Sequence, residues 1–512
     1  MPKYASTSIL MLSTLSLALS VSGCEDKVEN KPAAAADASK APAADKKPAA
    51  DKPEDDKANA DAKAVDAKPD GSKPEADAKT PPGDAAPEAD AATDKVADAA
   101  APPAAAADAG AAGPAYFVVR DRGLVELDGG KFTVVANSPK LLLRDLHVAA
   151  DGKLYLVGSK GIMQVDGAKA NMVAETSYKT TGSVDSFAVT KDSSTIWAVG
   201  YKGISKWADG KWSTEEKTVL GDDITLIKGV VVDANERVWV ASSNKIHTLE
   251  GDKWVDVDVS KQFKRKPFFS ELLRGPEGVT FAVASSTLLK LDKVDSVNAV
   301  DLKTSGFLQL GNLSFSANGN MAITTSMKDV VFANENKSWK AGADFASARI
   351  RGLGIDGQGR VWVASDIGVA ILKGDTKTEW NSGSVLEIAG QIEDILVLGA
   401  GPELPEVGEV KKGGIKGKIL TDGKGVAETE VEMCPSPNMM FKKSPCADSP
   451  VNFSGKTDAD GNFAFAEVPI GAYGVSVKVG DKWQLTMSSN FGQKMKEGET
   501  YDIGAIKVKS KK

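Results

Sequence analysis

At 512 residues and 42% hydrophobic content, the chain can build two or three domains with substantial cores. The formal charge of −7 is local: residues 25–113 hold 12 Lys and 20 Asp/Glu, a net of −8, and the rest nearly cancels. That balance excludes the basic footprint of a nucleic-acid binder, so no nucleic acid is expected as a partner. Three cysteines and two histidines leave little for metal chemistry. Neither His147 nor His247 stands in ligand spacing with Cys434 and Cys446, so no metal and no cofactor is expected.

Residues 1–23 read as a signal peptide. Lys3 is followed by an apolar stretch from Ile9 to Val21, too short to span a bilayer as a helix. Its end, Val21-Ser22-Gly23-Cys24, resembles the bacterial lipobox. That resemblance implies a diacylglycerol on the Cys24 sulfur, cleavage before it, and a membrane partner held through the lipid. Glu25 stands where an aspartate would resemble an inner-membrane retention signal. The expected location is therefore the outer membrane, on either side.

Residues 24–113 are mainly Ala, Pro, Asp and Lys. Such a segment cannot fill a core and so cannot offset the entropy of ordering; a disordered tether is expected. Fully extended it would reach roughly 300 Å, and as a coil about 50–60 Å. The reading is a spacer between a membrane and the folded part.

From Phe117 onward a motif recurs: apolar run, Asp/Asn-Gly turn, aromatic-flanked strand, Gly/Lys, aliphatic strand. The clearest copy is Leu353-Gly-Ile-Asp356-Gly-Gln-Gly359-Arg-Val361-Trp362-Val363, with others at Asp233–Val240 and Asp151–Leu156. Phe117, Tyr155, Trp197, Trp239, Phe281, Ala322 and Trp362 mark the copies, at spacings of 38, 42, 42, 42, 41 and 40. A period near 40 built from short β-rich runs suits a four-stranded propeller blade. Asp209-Gly210-Lys211-Trp212 and Gly129-Gly130-Lys131-Phe132 supply tight hairpins before an outermost strand. The aromatics are assigned to blade packing. The first copy lacks an innermost strand, and residues 392–398 form a strand without neighbours. Joining the two closes a seventh blade and leaves no long open edge. The expected fold is all-β, with a seven-bladed propeller over 114–403. The Trp362 copy resembles the propeller repeat of extracytoplasmic sensor domains of two-component regulators, in which the propeller is a sensing or binding module.

Residues 413–510 follow. Gly414–Ile419, Thr457-Asp458-Ala-Asp460-Gly461-Asn-Phe463-Ala-Phe465 and Val468-Pro469-Ile-Gly471-Ala-Tyr473-Gly-Val475-Ser-Val477 give strands with one buried face each. They resemble a carboxypeptidase regulatory-like domain, which implies a seven-stranded, transthyretin/Ig-like sandwich without catalysis. Cys434 and Cys446 lie in an insert between early strands. An even pair in an exported chain reads as a disulfide, two free buried thiols being the alternative.

Nothing in the chain has catalytic spacing. Asp458-x-Asp460-Gly461 hints at calcium, but Pro469 stands where an EF-hand would place its glutamate, and a plain turn is the better reading. His147 sits in an apolar run, which favours a buried or strand-edge role. His247, after Asn244-Lys245-Ile246, bears a faint resemblance to propeller lyases acting on cyclic peptide antibiotics. The loop Lys261-Gln-Phe263-Lys264-Arg265-Lys266-Pro267-Phe268-Phe269 mixes cations with aromatics. Lys264, Arg265 and Lys266 are its candidate contacts with an anionic surface or partner; otherwise it is a solvated connection whose aromatics tuck under the ring. The expected function is a non-enzymatic binding or scaffold module whose partner is a protein or glycan of the cell envelope. The alternative is a propeller lyase or hydrolase, its site in the central channel at His247.

Overall fold

The computed structural model describes residues 110–509, except 141–144, 178–181, 202, 222–225, 303–308, 326–328, 335–336, 347–348, 382, 440–443 and 492–493. The signal segment, Cys24 and nearly all of the expected tether lie outside the described residues.

Strands β1 (Ala115–Val119), β2 (Gly123–Asp128) and β3 (Lys131–Val134) open the chain. Four-strand runs follow: β4–β7 (Asp145–Val148, Leu154–Gly158, Gly161–Asp166, Lys169–Glu175), β8–β11 (Val184–Val189, Ile196–Gly200, Gly203–Ala208, Lys211–Glu216) and β12–β15 (Ile227–Val232, Val238–Ser242, Ile246–Glu250, Lys253–Val257). Next come β16–β19 (Phe269–Arg274, Thr280–Ala284, Thr287–Lys293, Ser296–Ala299), β20–β23 (Leu310–Phe315, Met321–Thr325, Asp329–Phe332, Lys337–Lys340) and β24–β27 (Ile350–Ile355, Val361–Ser365, Gly368–Lys373, Thr376–Asn381). The last strand of the ring is β28 (Ile392–Val397). Each run is one antiparallel sheet, blades 1 to 6 in chain order. The seventh has the order β28-β1-β2-β3, with Phe117 opposite Ile395, so the C-terminal strand closes the propeller against the N-terminal three.

The blades hold together because each presents apolar side chains on both faces. Seven apolar clusters fill the seven gaps, such as Trp239 with Phe269 and Leu272 between blades 3 and 4, or Trp362 with Phe117 and Ile395 between blades 6 and 7. Turn chemistry agrees with the hairpins: Asp209 and Gly210 take φ of 52° and 74°, as do Gly129 and Gly130.

One position departs from the sequence reading. The residue equivalent to Trp362 in the seventh blade is Tyr116, not Phe117. Trp362 pairs with Gly354 and Ile371, and Tyr116 pairs with Leu396 and Glu126. Strand side chains alternate, so a one-residue offset changes faces. Tyr116 accordingly packs toward blade 1, whereas Phe117 packs back toward Trp362. The first spacing is then 39 rather than 38.

Buried carboxylates at the turns between first and second strands fix these aromatics. Asp356 accepts from the Trp362 indole at 2.9 Å and Asp233 from that of Trp239 at 2.9 Å. In blade 1 the Tyr155 hydroxyl donates to Asp151 at 2.7 Å.

The C-terminal region comprises β29 (Lys412–Thr421), β30 (Lys424–Gly425), β31 (Glu430–Cys434), β32 (Phe453–Lys456), β33 (Asn462–Pro469), β34 (Ala472–Val479), β35 (Lys482–Asn490) and β36 (Thr500–Lys507). These form two four-stranded sheets, β30-β29-β33 with β36 added in parallel on β29, and β32-β31-β34-β35. Among the described residues there are eight strands where seven are expected, β30 being only two residues long. The sheets enclose Ile415, Val431, Met433, Phe463, Tyr473 and Val475, and Ala389 and Leu386 from the segment before β28 pack on this same cluster. Cys434, at the end of β31, is bonded to Cys446 with 5.8 Å between their Cα atoms.

Candidate functional site at the mouth of the channel

The first strand of every blade lines the central channel, and in blades 2 to 7 its start is irregular. Register shifts fall between Val184 and Ser186, Ile227 and Gly229, Phe269 and Glu271, Leu310 and Leu313, and Ile350 and Gly352; the β1–β28 pairing shifts around Glu393. A bulge of this kind inserts one unpaired residue and re-aims its neighbours. Repeated around the ring, it delivers polar residues where the strands would otherwise be apolar. The outer tier is Asp185, Lys228, Ser270, Gly311, Arg351 and Glu393. The next tier is Asp145, Ser186, Gly229, Glu271, Asn312, Gly352 and Asp394.

The inner tier stitches blade to blade. The Phe187 amide donates to Asp145 at 3.4 Å, the Val230 amide to Ser186 Oγ at 3.5 Å, and Asn312 Nδ2 to the Arg351 carbonyl at 2.7 Å. Three members are carboxylates from blades 1, 4 and 7 that face one another. Burial first, then the Asp394 and Asp145 charges, pushes the Glu271 carboxyl up to about 8. Burial, opposed by an amide bond from Ile395 and reinforced by the charges of Asp145 and Glu393, pushes Asp394 up to about 7. Both residues are partly exposed. The outer tier is paired across blades 6 and 7: Arg351 lies 2.5 Å from Asp366 and 3.6 Å from Glu393, which is itself 2.6 Å from Arg120.

Blades 3 to 5 present a different rim. A backbone belt links their loops: Ser243 donates to Leu226, Phe269 to Ser243, Ser285 to Phe268, and Leu310 to Ser285, all within 3.1 Å. This belt sets Leu226 and Phe268 at equivalent positions above the bulges, where both are about half exposed. Lys228 Nζ lies 5.3 Å from the Phe268 ring centre. A shallow cleft of about 280 Å³ opens beside it, lined by Phe268, Ser270, Ser285, Gln309 and Leu310.

The basic loop runs along this rim, from the outermost strand of blade 3 to the innermost of blade 4. Lys264, Arg265 and Lys266 are exposed. Its aromatics divide. Phe263 tucks in edge-on against Phe269, 6.4 Å between centroids, while Phe268 stays outside.

The two histidines lie in different layers of their blades. His247 is fully buried on β14, the third strand of its blade, with Nδ1 2.9 Å from Asp256 of the outermost strand. It has no position in the channel, and the reading that placed a lyase site there on His247 loses its residue. His147 lies on innermost strand β4, stacked on Phe187 at 4.3 Å with Nδ1 3.3 Å from Asp145. Asp458 is a turn residue, accepting from the Asp460 and Asn462 amides at 2.9 and 2.8 Å. The Asn462 side-chain amide, which donates at 2.9 Å, and then these backbone amides hold its carboxyl below the usual range. Among the described residues no group of three or more His, Cys, Asp or Glu could hold a metal ion, and no helix is long and apolar enough to cross a membrane.

The channel carboxylates were not singled out in the sequence. Each lies in a short strand where polar and apolar residues mix, as in Phe269-Ser-Glu271-Leu-Leu-Arg274 and Ile392-Glu-Asp394-Ile-Leu-Val397. Aligning the repeats would have found the column, which is polar or glycine in all seven copies.

No protein-family model and no curated protein matches the chain. Among solved structures, a streptogramin B lyase is 14% identical, covering 52% of this chain and 87% of that one, with a TM-score of 0.38. The extracellular domain assigned to a hybrid two-component system of B. thetaiotaomicron is 11% identical over 77% of this chain and 54% of its own length, with a TM-score of 0.39. A functionally unknown protein of Desulfotomaculum acetoxidans is 14% identical over 58% of this chain and all of its own, also at 0.39.

Proposed function

We propose that the chain is a lipid-anchored protein of the bacterial cell envelope whose propeller binds or scaffolds without catalysis, taking a protein or glycan partner on the rim of blades 3 to 5. One observation carries this reading. Exposed Leu226 and Phe268, a cleft, Lys228 and the exposed cations of the basic loop share one rim, whereas the opposite rim is occupied by its own ion pairs. Exposed apolar groups ringed by charge are the usual mark of a contact surface. The Cys434–Cys446 disulfide agrees with an oxidising, extracytoplasmic compartment. Anchoring at Cys24 and outer-membrane location rest on the lipobox resemblance. The C-terminal sheets, read as a carboxypeptidase regulatory-like sandwich, add surface. The test is capture from envelope extracts with the full chain against Lys264→Glu/Arg265→Glu and Phe268→Ala. Loss of a partner in both variants, greater at low salt for the charge variant, supports the rim; equal capture by all three removes it.

A second reading has one observation in its favour. Glu271 and Asp394 titrate near neutrality in a channel, a range suited to general acid–base work. Turnover of a glycan or peptide that Glu271→Gln abolishes, with binding retained, would favour a channel enzyme.

A further inference from the structure

The seventh blade is the only one assembled from both ends of the propeller, and one of the facing channel carboxylates, Asp394, lies on its closing strand β28. That strand is held on three sides. Backbone bonds join it to β1. Ile392, Ile395 and Val397 enter the core between blades 6 and 7. Blade 6 approaches closely enough that a Cβ on Gly352 would fall 2.7 Å from the Asp394 Cα. There is no slack by which Asp394 could withdraw from the channel.

We propose that the carboxyls of Glu271 and Asp394, set in the field of Asp145, form a proton-operated latch on ring closure: protonated, they leave β28 seated, and ionised, they repel one another and Asp145 across the channel and loosen it.

Among the described residues, the charged groups around the trio do not cancel this repulsion. On β28 itself Glu393 adds negative charge. From β24, Arg351 reaches Glu393 and Asp366 instead, and Arg120, following β1, also reaches Glu393. Next to Asp394, β4 contributes Asp145 and His147, the imidazole lying 3.3 Å from Asp145. Beside Glu271, β12 contributes Lys228, drawn toward the Phe268 ring, and β20 contributes only the uncharged Asn312. Arg274, at the far end of β16, is in the field of Asp233 and Glu236.

The direction follows from the shifts. Both carboxyls are raised above their ordinary values, so their ionisation opposes the folded ring. The stability is complete below the ordinary values, 3.8 for Asp394 and 4.5 for Glu271, and is lost as pH rises toward about 7 and about 8 respectively. The effect belongs to β28 and its partner β1 rather than to the whole ring, because β28 is the innermost strand that lies at an end of the propeller.

Hydrogen exchange on the full chain at pH 5.5 and 8.5, corrected for intrinsic rates, reads this directly. Peptides covering 392–397 and 115–119 should lose protection by at least about tenfold at the higher pH, the equivalent of one unit of differential protonation. Peptides of β12 and β13 should change far less. Glu271→Gln and Asp394→Asn, each close in shape to the native residue, should shrink the pH response of β28 severalfold. The Asp394→Asn side-chain oxygen can still accept from the Ile395 amide. A pH response spread evenly over all blades in the native chain overturns the latch, whether or not the variants fold. So does an undiminished β28 response in either variant.

Discussion

Replacing Asp356 with alanine should be among the most damaging single changes in the ring, and its cost can be worked from the contacts. The side chain is fully buried. It accepts from the Gln358 and Arg360 amides at 3.0 Å, from Arg360 Nε at 2.6 Å and from the Trp362 indole at 2.9 Å. Truncation strands a buried indole N–H and leaves the Arg360 guanidinium, itself mostly buried, with only the Ala400 and Pro402 carbonyls. Removing one partner of a buried ion pair costs about 3–5 kcal/mol. Asp233 offers a control: it holds the Asn235 and Arg237 amides and the Trp239 indole without a salt bridge at comparable distance. Its truncation should cost less, on the order of 2 kcal/mol for unpaired buried donors. Urea unfolding followed by tryptophan fluorescence compares the two. If Asp356→Ala lies within about 1 kcal/mol of the native chain, or is milder than Asp233→Ala, the carboxylate is not the clamp inferred here.

Three further outcomes are expected. Cys24→Ser should leave the protein unprocessed or release it from membranes; ordinary cleavage and unchanged fractionation would refute anchoring at that thiol. Cys434 and Cys446 should resist alkylation before reduction, and Cys434→Ser with Cys446→Ser should cost the C-terminal sheets roughly 3 kcal/mol on the loop-entropy model; labelled thiols in protein from the periplasm would contradict the bond. A chain ending at residue 385 should lose protection in β1 relative to one ending at 412, because β28 is its sheet neighbour; identical exchange in both would mean that closure contributes nothing.

The ring was legible because its signals repeat. Trp197, Trp239 and Trp362 recur in the same turn-strand context, and a missing first strand was matched by a spare one at 392–398. The one slip, Phe117 for Tyr116, arose where two adjacent aromatics fill a strand buried on both faces, so the polar alternation that normally fixes register is absent. The site was legible only at its edge. Lys264 to Lys266 showed as a run of charge. The cleft below depends on Gln309 and Ser285, from separate blades and brought together by the backbone belt, which has no linear signature. His247 misled for the opposite reason: a histidine is conspicuous in a chain with two, but strand order sets it far from the channel.

The two ends of the innermost strands use carboxylates in opposite ways. At one end Asp356 accepts from four donors and Asp233 from three, and each binds its blade to an aromatic. At the other end Asp394 accepts from its own next amide, while Glu271 faces Asp145 and Asp394 with the field of carboxylates around it. A carboxylate surrounded by donors stabilises the fold by remaining ionised; one surrounded by its own kind opposes the fold for the same reason. The ring therefore carries its rigidity on one face and its sensitivity to protons on the other, the face that also bears the exposed aromatics and cations. A partner that covered this mouth would shield the channel from solvent. If it presented a cation to the carboxylates it would also replace the protons that keep β28 seated. Measured proton release on binding would then distinguish a partner that enters the channel from one that rests on the rim of blades 3 to 5.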